Sequence, residues 1–117
     1  MSKTVAPWCP VAATVEVIGG KWKPTILFHL KDQPRRFNEL RRLMPNITQR
    51  MLTLQLRALE EDGVISRTVH ERVPPWVEYA FTERGITLGP LLDAMVDWGH
   101  AFGAPPKAST APTSTAG

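Results

Sequence analysis

The chain has 117 residues, of which 43% are hydrophobic, enough for one modest domain with a core but not for two. Its formal net charge of +3 suits a nucleic-acid partner without proving one. No apolar run approaches the roughly 20 residues that a membrane-spanning helix needs, and the N-terminus has no apolar signal-peptide segment. We therefore expect a cytoplasmic protein without a membrane partner, in which the single cysteine excludes a disulfide within the chain.

The first part of the chain predicts a flexible arm and two helices. The arm covers residues 1–8, after which Cys9 and Pro10 open a helix, since proline suits the first helical position. Gly19 and Gly20 end this helix. A second helix is predicted over residues 21–29. Its expected core residues are Trp22, Ile26, Leu27 and Leu30.

A turn over residues 32–34 leads to a very short strand at Arg36 and Phe37. A third helix follows over residues 38–44, with Leu40 and Leu43 expected to face inward. Residues 45–47 form the turn into the next helix.

Residues 48–63 are the most informative segment. Leu52, Leu56 and Leu59 recur at i, i+4 and i+7 and predict the buried stripe of an amphipathic helix. Thr48 is a suitable N-cap, and Gly63 is a suitable C-terminal stop. Off the stripe lie side chains that can pair with base edges or phosphates, namely Gln49, Arg50, Thr53 and Arg57. The alternative is the solvated face of an ordinary surface helix.

A β-hairpin and a final helix are predicted next. β-branched and aromatic runs at residues 64–72 and 76–81 read as two strands, joined by a stiff turn at residues 73–75. Thr82 caps the last helix, which extends to Phe102 with a kink or break at Pro90. Residues 103–117 are dominated by Ala, Pro, Ser and Thr and are predicted to be disordered.

This order of elements predicts a mainly α fold with a small β-hairpin wing, an α+β architecture. Two short helices joined by a tight turn and followed by a hairpin are typical of a winged helix-turn-helix. The predicted domain spans residues 9–102.

Five segments carry a family resemblance: CPV at residues 9–11, VIGGKWK at 17–23, RFNELRR at 36–42, ITQRMLTLQLRALEEDG at 47–63 and VPPWVEYAFT at 73–82. In this order and spacing, the chain resembles the HxlR-type transcriptional regulators, a bacterial group related to the MarR regulators. The resemblance implies a homodimer that binds operator DNA, with residues 48–62 as the recognition helix and residues 67–81 as the wing.

Two residues depart from the pattern of the resembled family. Trp76 follows the proline pair where a basic residue is usual, and His70 stands in the first wing strand where a tyrosine is usual. Wing contacts with phosphates are therefore less strongly implied here than in typical members. Trp76 would instead lie against the sugar-phosphate edge or pack on a partner subunit.

The resemblance turns the polar helix face into a predicted DNA-reading group. An arginine can fork onto guanine, a glutamine onto adenine, and a threonine methyl can touch thymine. Leu54 would touch a thymine methyl or simply be an exposed leucine. The predicted DNA-binding residues are Thr48, Gln49, Arg50, Thr53, Arg57, Arg36, Arg41 and Arg72. Lys21, Arg35 and Arg42 are further candidates for phosphate positioning, and each of these cations is alternatively a solubilising charge.

Cys9 is the strongest hint of regulation. It begins a helix, where unpaired amides and the helix dipole favour a thiolate. Several members of the resembled family sense quinones, aldehydes or oxidants with a cysteine at this place. A lone cysteine can respond by alkylation, thiolation or an intersubunit disulfide. The alternatives are an inert Cys9 with control by a small-molecule ligand, and a winged helix that binds only protein.

The apolar residues of the first and last helices exceed what a small winged domain needs, and such an exposed stripe favours association. The predicted dimer interface consists of Val15, Ile18, Leu91, Leu92, Met95, Trp98 and Phe102. The alternative is that they pack within one subunit. Dimerisation would place two recognition helices one DNA turn apart, about 34 Å, on a palindromic operator.

Catalytic and metal-binding patterns are not apparent in the sequence. His29, His70 and His100 are far apart and Cys9 is alone, so no spacing resembles a zinc site. His29 closes a helix, where a cation suits the C-terminal dipole. We therefore expect no enzyme activity, metal or cofactor.

Overall fold

The computed structural model describes residues 8–105. Its six helices are α1 (Pro10–Ile18), α2 (Lys23–Leu30), α3 (Phe37–Leu43), α4 (Gln49–Glu61), α5 (Glu83–Ile86) and α6 (Gly89–Phe102), and its three strands are β1 (Arg35–Arg36), β2 (Ile65–His70) and β3 (Trp76–Phe81). The predicted arm lies almost entirely outside the described residues, and most of the predicted tail does as well. The mainly α architecture with a small wing is the predicted fold class.

The sheet has one more strand than the hairpin that the sequence predicts. All pairs are antiparallel in the order β1-β3-β2, with Arg35 opposite Tyr79 and Arg36 opposite Glu78. The first strand lies one residue earlier than predicted, because Phe37 is already helical and begins α3. This short strand ties the start of α3 to the wing.

The core lies between α2, α3, α4 and the inner face of the sheet. The predicted leucine stripe of α4 is confirmed, since Leu52, Leu56 and Leu59 are each at most 1% exposed. Ile26 and Leu27 of α2 are also fully buried. The same period that predicts the amphipathic helix therefore fills the centre of the domain.

The prediction for Leu43 is wrong, since 42% of this residue is exposed. The helix α3 ends at Leu43, and Met44 leaves helical geometry with φ −127° and ψ 69°. This turn directs Met44 and then Ile47 into the core, where both are buried. The inward positions therefore follow the local turn rather than the helical period.

The C-terminal helix is broken, as predicted, but the break precedes Pro90. The helix α5 ends at Ile86, and Pro90 is the second residue of α6, where its missing amide leaves no helical hydrogen bond unmade. Gly85 in α5 lies so close to the Val64 carbonyl that a Cβ atom there would overlap it. The absence of a side chain at Gly85 therefore lets α5 pack closely against the residue that precedes β2.

Two residues of the predicted dimer interface are core residues of one subunit. Ile18 is 6% exposed and Leu92 is 2% exposed, and both join the core cluster. Each lies on the inner side of its helix and has almost no surface to offer a partner. For these two residues the burial favours the alternative to the interface prediction, packing within one subunit.

No helix within residues 8–105 combines the length and the apolar character that crossing a membrane requires.

Candidate nucleic-acid interface

The helices α3 and α4 and the turn between them form the helix-turn-helix unit. Buried Ile47 anchors the turn, and its amide donates to the Met44 carbonyl at 3.2 Å. The predicted N-cap is present, since the Thr48 hydroxyl accepts from the Met51 amide at 3.0 Å. The start of α4, and with it the predicted base-reading residues, is thereby held in a defined position.

The other end of α4 is joined to the wing by a network of short hydrogen bonds. Gly63 adopts φ +77°, and the amides of Gly63 and Val64 donate to the carbonyls of Glu60 and Leu59 at 3.0 and 3.2 Å, as in a Schellman motif. The Thr82 hydroxyl then donates to the Gly63 carbonyl at 2.6 Å. These bonds fix the C-terminal end of α4 to the residues that flank the wing, and we call this junction the root of the wing.

The outer face of α4 carries the predicted reading group. Gln49, Arg50 and Arg57 are exposed, and Thr53 is half-buried. The Thr53 hydroxyl donates to the Gln49 carbonyl at 3.0 Å, so its polar atom already has a partner. Leu54 is exposed on the same helix. The described face is therefore mixed, with two cations, one amide and apolar groups available to a ligand.

Arg41 lies on the neighbouring helix and approaches this face. Its Nη1 is 3.5 Å from Gln49 Oε1, which joins α3 to the first turn of α4. An arginine here adds positive charge next to the reading group, and the contact restricts the Gln49 amide. The structure thus brings Arg41 and Gln49 together.

A groove of 410 Å³ separates α4 from the sheet. Thr53 and Arg57 line its helical side, and Arg67 and Tyr79 line its sheet side. Arg67 was missed as a DNA-binding candidate. It shares the inner face of β2 with buried Ile65, but lies beyond the edge of the core and is exposed. A cation at an inward position of an alternating strand is the signal that could have revealed it.

A second cleft, of 360 Å³, lies between α3 and the wing. Arg36 and Arg42 line one side, and Pro75 and Trp76 line the other. Predicted Arg36 therefore faces the wing and lies apart from Gln49, whereas Arg72 is exposed in the loop between β2 and β3. Phe37 and Val77 line both this cleft and the groove beside α4, so the two depressions adjoin.

The two family departures contact each other. The rings of His70 and Trp76 are stacked, with centroids 3.9 Å apart and an interplanar angle of 18°. The Arg36 guanidinium lies over the Trp76 ring, 3.9 Å from its centroid. Trp76 therefore has partners in its own chain, an arrangement that neither sequence interpretation included.

Arg35 does not belong to the candidate interface. Its Nε donates to the His29 carbonyl at 2.9 Å and caps the C-terminal end of α2. Burial, and after it the positive charge of Arg35, lower the pKa of His29. Arg35 thus supplies a cation at this helix end, next to His29 in the last turn of α2.

Cys9 lies at the N-terminus of α1 and is exposed. Its Sγ accepts from the Ala12 amide at 3.5 Å, so the sulfur takes the N-cap position. A groove of 410 Å³ next to it is lined by Trp8, Pro10, Arg84 and other side chains of α1, α5 and the start of α6.

An apolar face remains uncovered on α1 and α6. Trp98 is 63% exposed and Phe102 is 73% exposed, with ring centroids 5.4 Å apart. The exposed apolar residues of these two helices are Val11, Val15, Leu91, Met95, Trp98 and Phe102. Five of the seven predicted interface residues are thus exposed in the single chain. No group of three His, Cys, Asp or Glu side chains that could hold a metal ion occurs within residues 8–105.

Known proteins resemble this chain over most of its length. The family model for HxlR-like helix-turn-helix proteins matches residues 17–107. The HTH-type transcriptional regulator YdeP of Bacillus subtilis (strain 168) is 60% identical over 94 residues, which cover 80% of this chain and 73% of YdeP.

Solved structures give the same result. The redox regulator HypR in its oxidized form is 56% identical with a TM-score of 0.77, covering 80% of this chain and 96% of that chain. The reduced form of the transcriptional regulator YodB from Bacillus subtilis is 31% identical with a TM-score of 0.71, covering 86% of this chain and 100% of that chain. These relatives are transcriptional regulators rather than enzymes. The chain is therefore a helix-turn-helix transcriptional regulator and belongs to the HxlR-like family.

Proposed function

We propose that this regulator is a homodimer that binds a palindromic operator and leaves or changes that operator when oxidants or electrophiles modify Cys9. The observation that carries the DNA-binding part is the exposed polar face of α4, fixed at its root to the wing. One cation of this face, Arg57, and one wing cation, Arg67, line the groove between α4 and the sheet together with Glu60. A sugar-phosphate backbone along this groove would leave the outer face of α4 against the bases.

The proposed readers are the side chains that project from the first two turns of α4. Arg50 and Gln49 have the donor and acceptor groups that distinguish guanine and adenine, and the Thr53 methyl suits thymine. Arg57 and Arg67 line the groove and suit phosphates. Thr48, Arg36, Arg41 and Arg72 are proposed to position the backbone.

The proposed dimer forms across the exposed apolar face of α1 and α6. Six large apolar residues with no cover in the single chain form the kind of surface that monomeric proteins rarely leave in water. A twofold pairing of these helices would repeat α4 about 34 Å away, one turn of DNA.

The proposed sensor is Cys9. It is exposed at a helix N-terminus, so a thiol reagent can reach its sulfur, and the similar protein HypR is described as a redox regulator with oxidized and reduced forms. Because the chain has one cysteine, a protein disulfide must join two subunits. Two Cys9 thiols then form one S–S bond, and their two hydrogens reduce diamide to its hydrazine.

A second mode of control has its own observation. The groove of 410 Å³ beside Cys9 has an apolar wall with Arg84 and Thr87 at its edge, and could hold a small apolar anion without any thiol chemistry. A ligand there would act on α1 and α5, next to the root of the wing.

An electrophoretic shift with the DNA next to the regulator's own gene tests both parts. We expect a salt-sensitive, competitor-resistant shift that Arg50→Ala weakens and that Lys31→Ala, which removes a lysine paired with Asp93, leaves unchanged. Diamide should abolish or alter the shift of the wild type but not that of Cys9→Ser. A Cys9→Ser variant that still releases DNA would refute the thiol switch and favour the ligand groove. Absence of specific binding to any genomic fragment would refute operator binding.

A further inference from the structure

One face of the wing sheet carries a stack of three side chains, with a glutamate in contact with the last of them. The register places His70 opposite Trp76 and Arg36 opposite Glu78, so all four residues share this face. His70 Nε2 lies 3.2 Å from Glu78 Oε1. The Trp76 indole thus has the His70 ring on one side and the Arg36 guanidinium on the other, each 3.9 Å away.

Within residues 8–105, the guanidinium of Arg36 has no salt bridge to a carboxylate. The close contacts between basic side chains and carboxylates there involve Lys31 and His70. The backbone of Arg36 is held as well, because its amide donates to Glu39 Oε1 at 2.8 Å. A guanidinium that lies flat on an aromatic ring keeps the N–H groups at its edge free to donate. Arg36 is therefore ordered and still available to an anion.

The surroundings of Arg36 favour a backbone phosphate as that anion. Arg36 and Arg42 share the cleft between α3 and the wing, and this cleft adjoins the groove that contains Arg57 and Arg67. A DNA strand that follows the groove from α4 toward the wing would next meet Arg36. Four arginines therefore mark the way from α4 to the wing, and the carboxylates of Glu60 and Glu39 also line the groove and the cleft.

We propose that Trp76 is a positioning residue for operator binding, which holds the Arg36 guanidinium for a DNA phosphate, with His70 supporting the indole from behind. This inference rests on the proposed function and names the residue through which the wing acts. A freely rotating arginine would lose side-chain freedom on binding, at a cost of up to about 2 kcal/mol. The stack removes part of that cost before DNA arrives.

The test is a double-variant cycle on a chosen operator fragment, with affinity measured over a salt series. Arg36→Ala should reduce the slope of log K against log salt by about 0.9, the value for one lost phosphate contact. Trp76→Ala should weaken binding by about two- to fivefold, the range of one exposed cation–π contact. In the Arg36→Ala background, Trp76→Ala should have no further effect.

Matched variants separate positioning from stability. Trp76→Leu retains an apolar side chain without a π face and should weaken binding as Trp76→Ala does, whereas Trp76→Tyr should restore it. Arg42→Ala removes a cation from the same cleft without touching the stack. In that background, Trp76→Ala should retain its full two- to fivefold effect.

The outcomes distinguish the two proposals. If wild-type protein binds the operator but Trp76→Ala weakens binding equally with and without Arg36, this inference is overturned and operator binding stands. If Trp76→Leu binds as tightly as the wild type, the π face is irrelevant and the inference is also overturned. If the wild type itself shows no salt-dependent specific binding, operator binding falls and the inference falls with it.

Discussion

Most leucine and isoleucine side chains from α2 to β2 are almost completely buried, with Leu43 and Leu54 as exceptions, whereas α1 and α6 expose valine, leucine, methionine, tryptophan and phenylalanine. Leu27, Leu40 and Leu52 have no accessible surface, while Trp98 and Phe102 are mostly exposed. Both regions are amphipathic. The difference is that the helix-turn-helix half finds its apolar partners within one chain, and the terminal helices find them on one side only.

This contrast separates two kinds of apolar residue on the terminal helices. Ile18 and Leu92 face inward and complete the core, while Val15 and Trp98 on the same helices face outward. The helix-turn-helix half thus buries most of its apolar side chains within one chain. The outer sides of α1 and α6 remain available for a second subunit.

The largest effect on stability is expected in the helix-turn-helix half. Replacing Leu56 with alanine removes a side chain that is 1% exposed and should lower the free energy of unfolding by about 2–5 kcal/mol. Leu54→Ala on the same helix, where the side chain is 48% exposed, should change it by less than about 0.5 kcal/mol. Urea denaturation followed by circular dichroism measures both. Equal losses would contradict the buried stripe.

On the terminal helices, Trp98→Ala should weaken association instead of folding. Loss of a large aromatic side chain from the proposed interface should weaken dimerisation by about 2 kcal/mol or more, seen by sedimentation over a concentration series. Val69→Ala, which truncates an exposed apolar side chain on the wing, serves as the control and should leave association unchanged. If the wild-type protein is monomeric at every concentration, α1 and α6 form no interface, and the comparison of the two regions fails.

At the junction between α4 and the wing, the effect of replacing Gly63 on stability should come from its backbone conformation alone. At φ +77°, a Cβ on Gly63 would meet only Arg84 Cδ at 3.7 Å, an ordinary contact. Gly63→Ala should therefore cost about 1–2 kcal/mol through the left-handed conformation itself. Gly63→Asn should cost less, because asparagine tolerates this region better. Thermal unfolding of the two variants compares them, and an asparagine variant no better than alanine would argue against this cause.

The smallest effect concerns His29, in the last turn of α2. Burial and Arg35 lower the pKa of His29 below its ordinary value of 6.5, so the unfolded chain binds this proton more readily than the folded one. Stability is then complete above pH 6.5 and falls as the pH drops from there toward the lowered pKa. His29→Gln should remove this part of the pH dependence in urea titrations between neutral and acidic pH. An unchanged dependence would show that other groups cause it.

Much of the fold and part of the candidate site followed from local sequence patterns. The period of Leu52, Leu56 and Leu59 predicted the buried side of α4, and its exposed side followed from the same period. Thr48 and Gly63 marked the ends of that helix because their hydrogen bonds close within a few residues. The place of Cys9 at the start of α1 was predictable for the same reason.

Residues that meet across the fold could not be predicted in this way. Arg36 is far from His70 and Trp76 along the chain, and only the pairing of β1 with β3 brings it into their stack. Arg35 and Arg36 are adjacent but point to opposite faces of the sheet, so one caps α2 and the other lies on Trp76. A run of arginines in the sequence does not indicate which of them face a ligand.

The sequence by itself determined the helix periods, the caps, the hairpin and the family, because each depends on residue types at short or fixed spacings. The tertiary structure decided which apolar residues of α1 and α6 are core, which arginines surround the groove beside α4, and what Trp76 contacts. These depend on how complete elements pack against one another, since packing alone assigns each side of a helix or strand to the interior or to the surface.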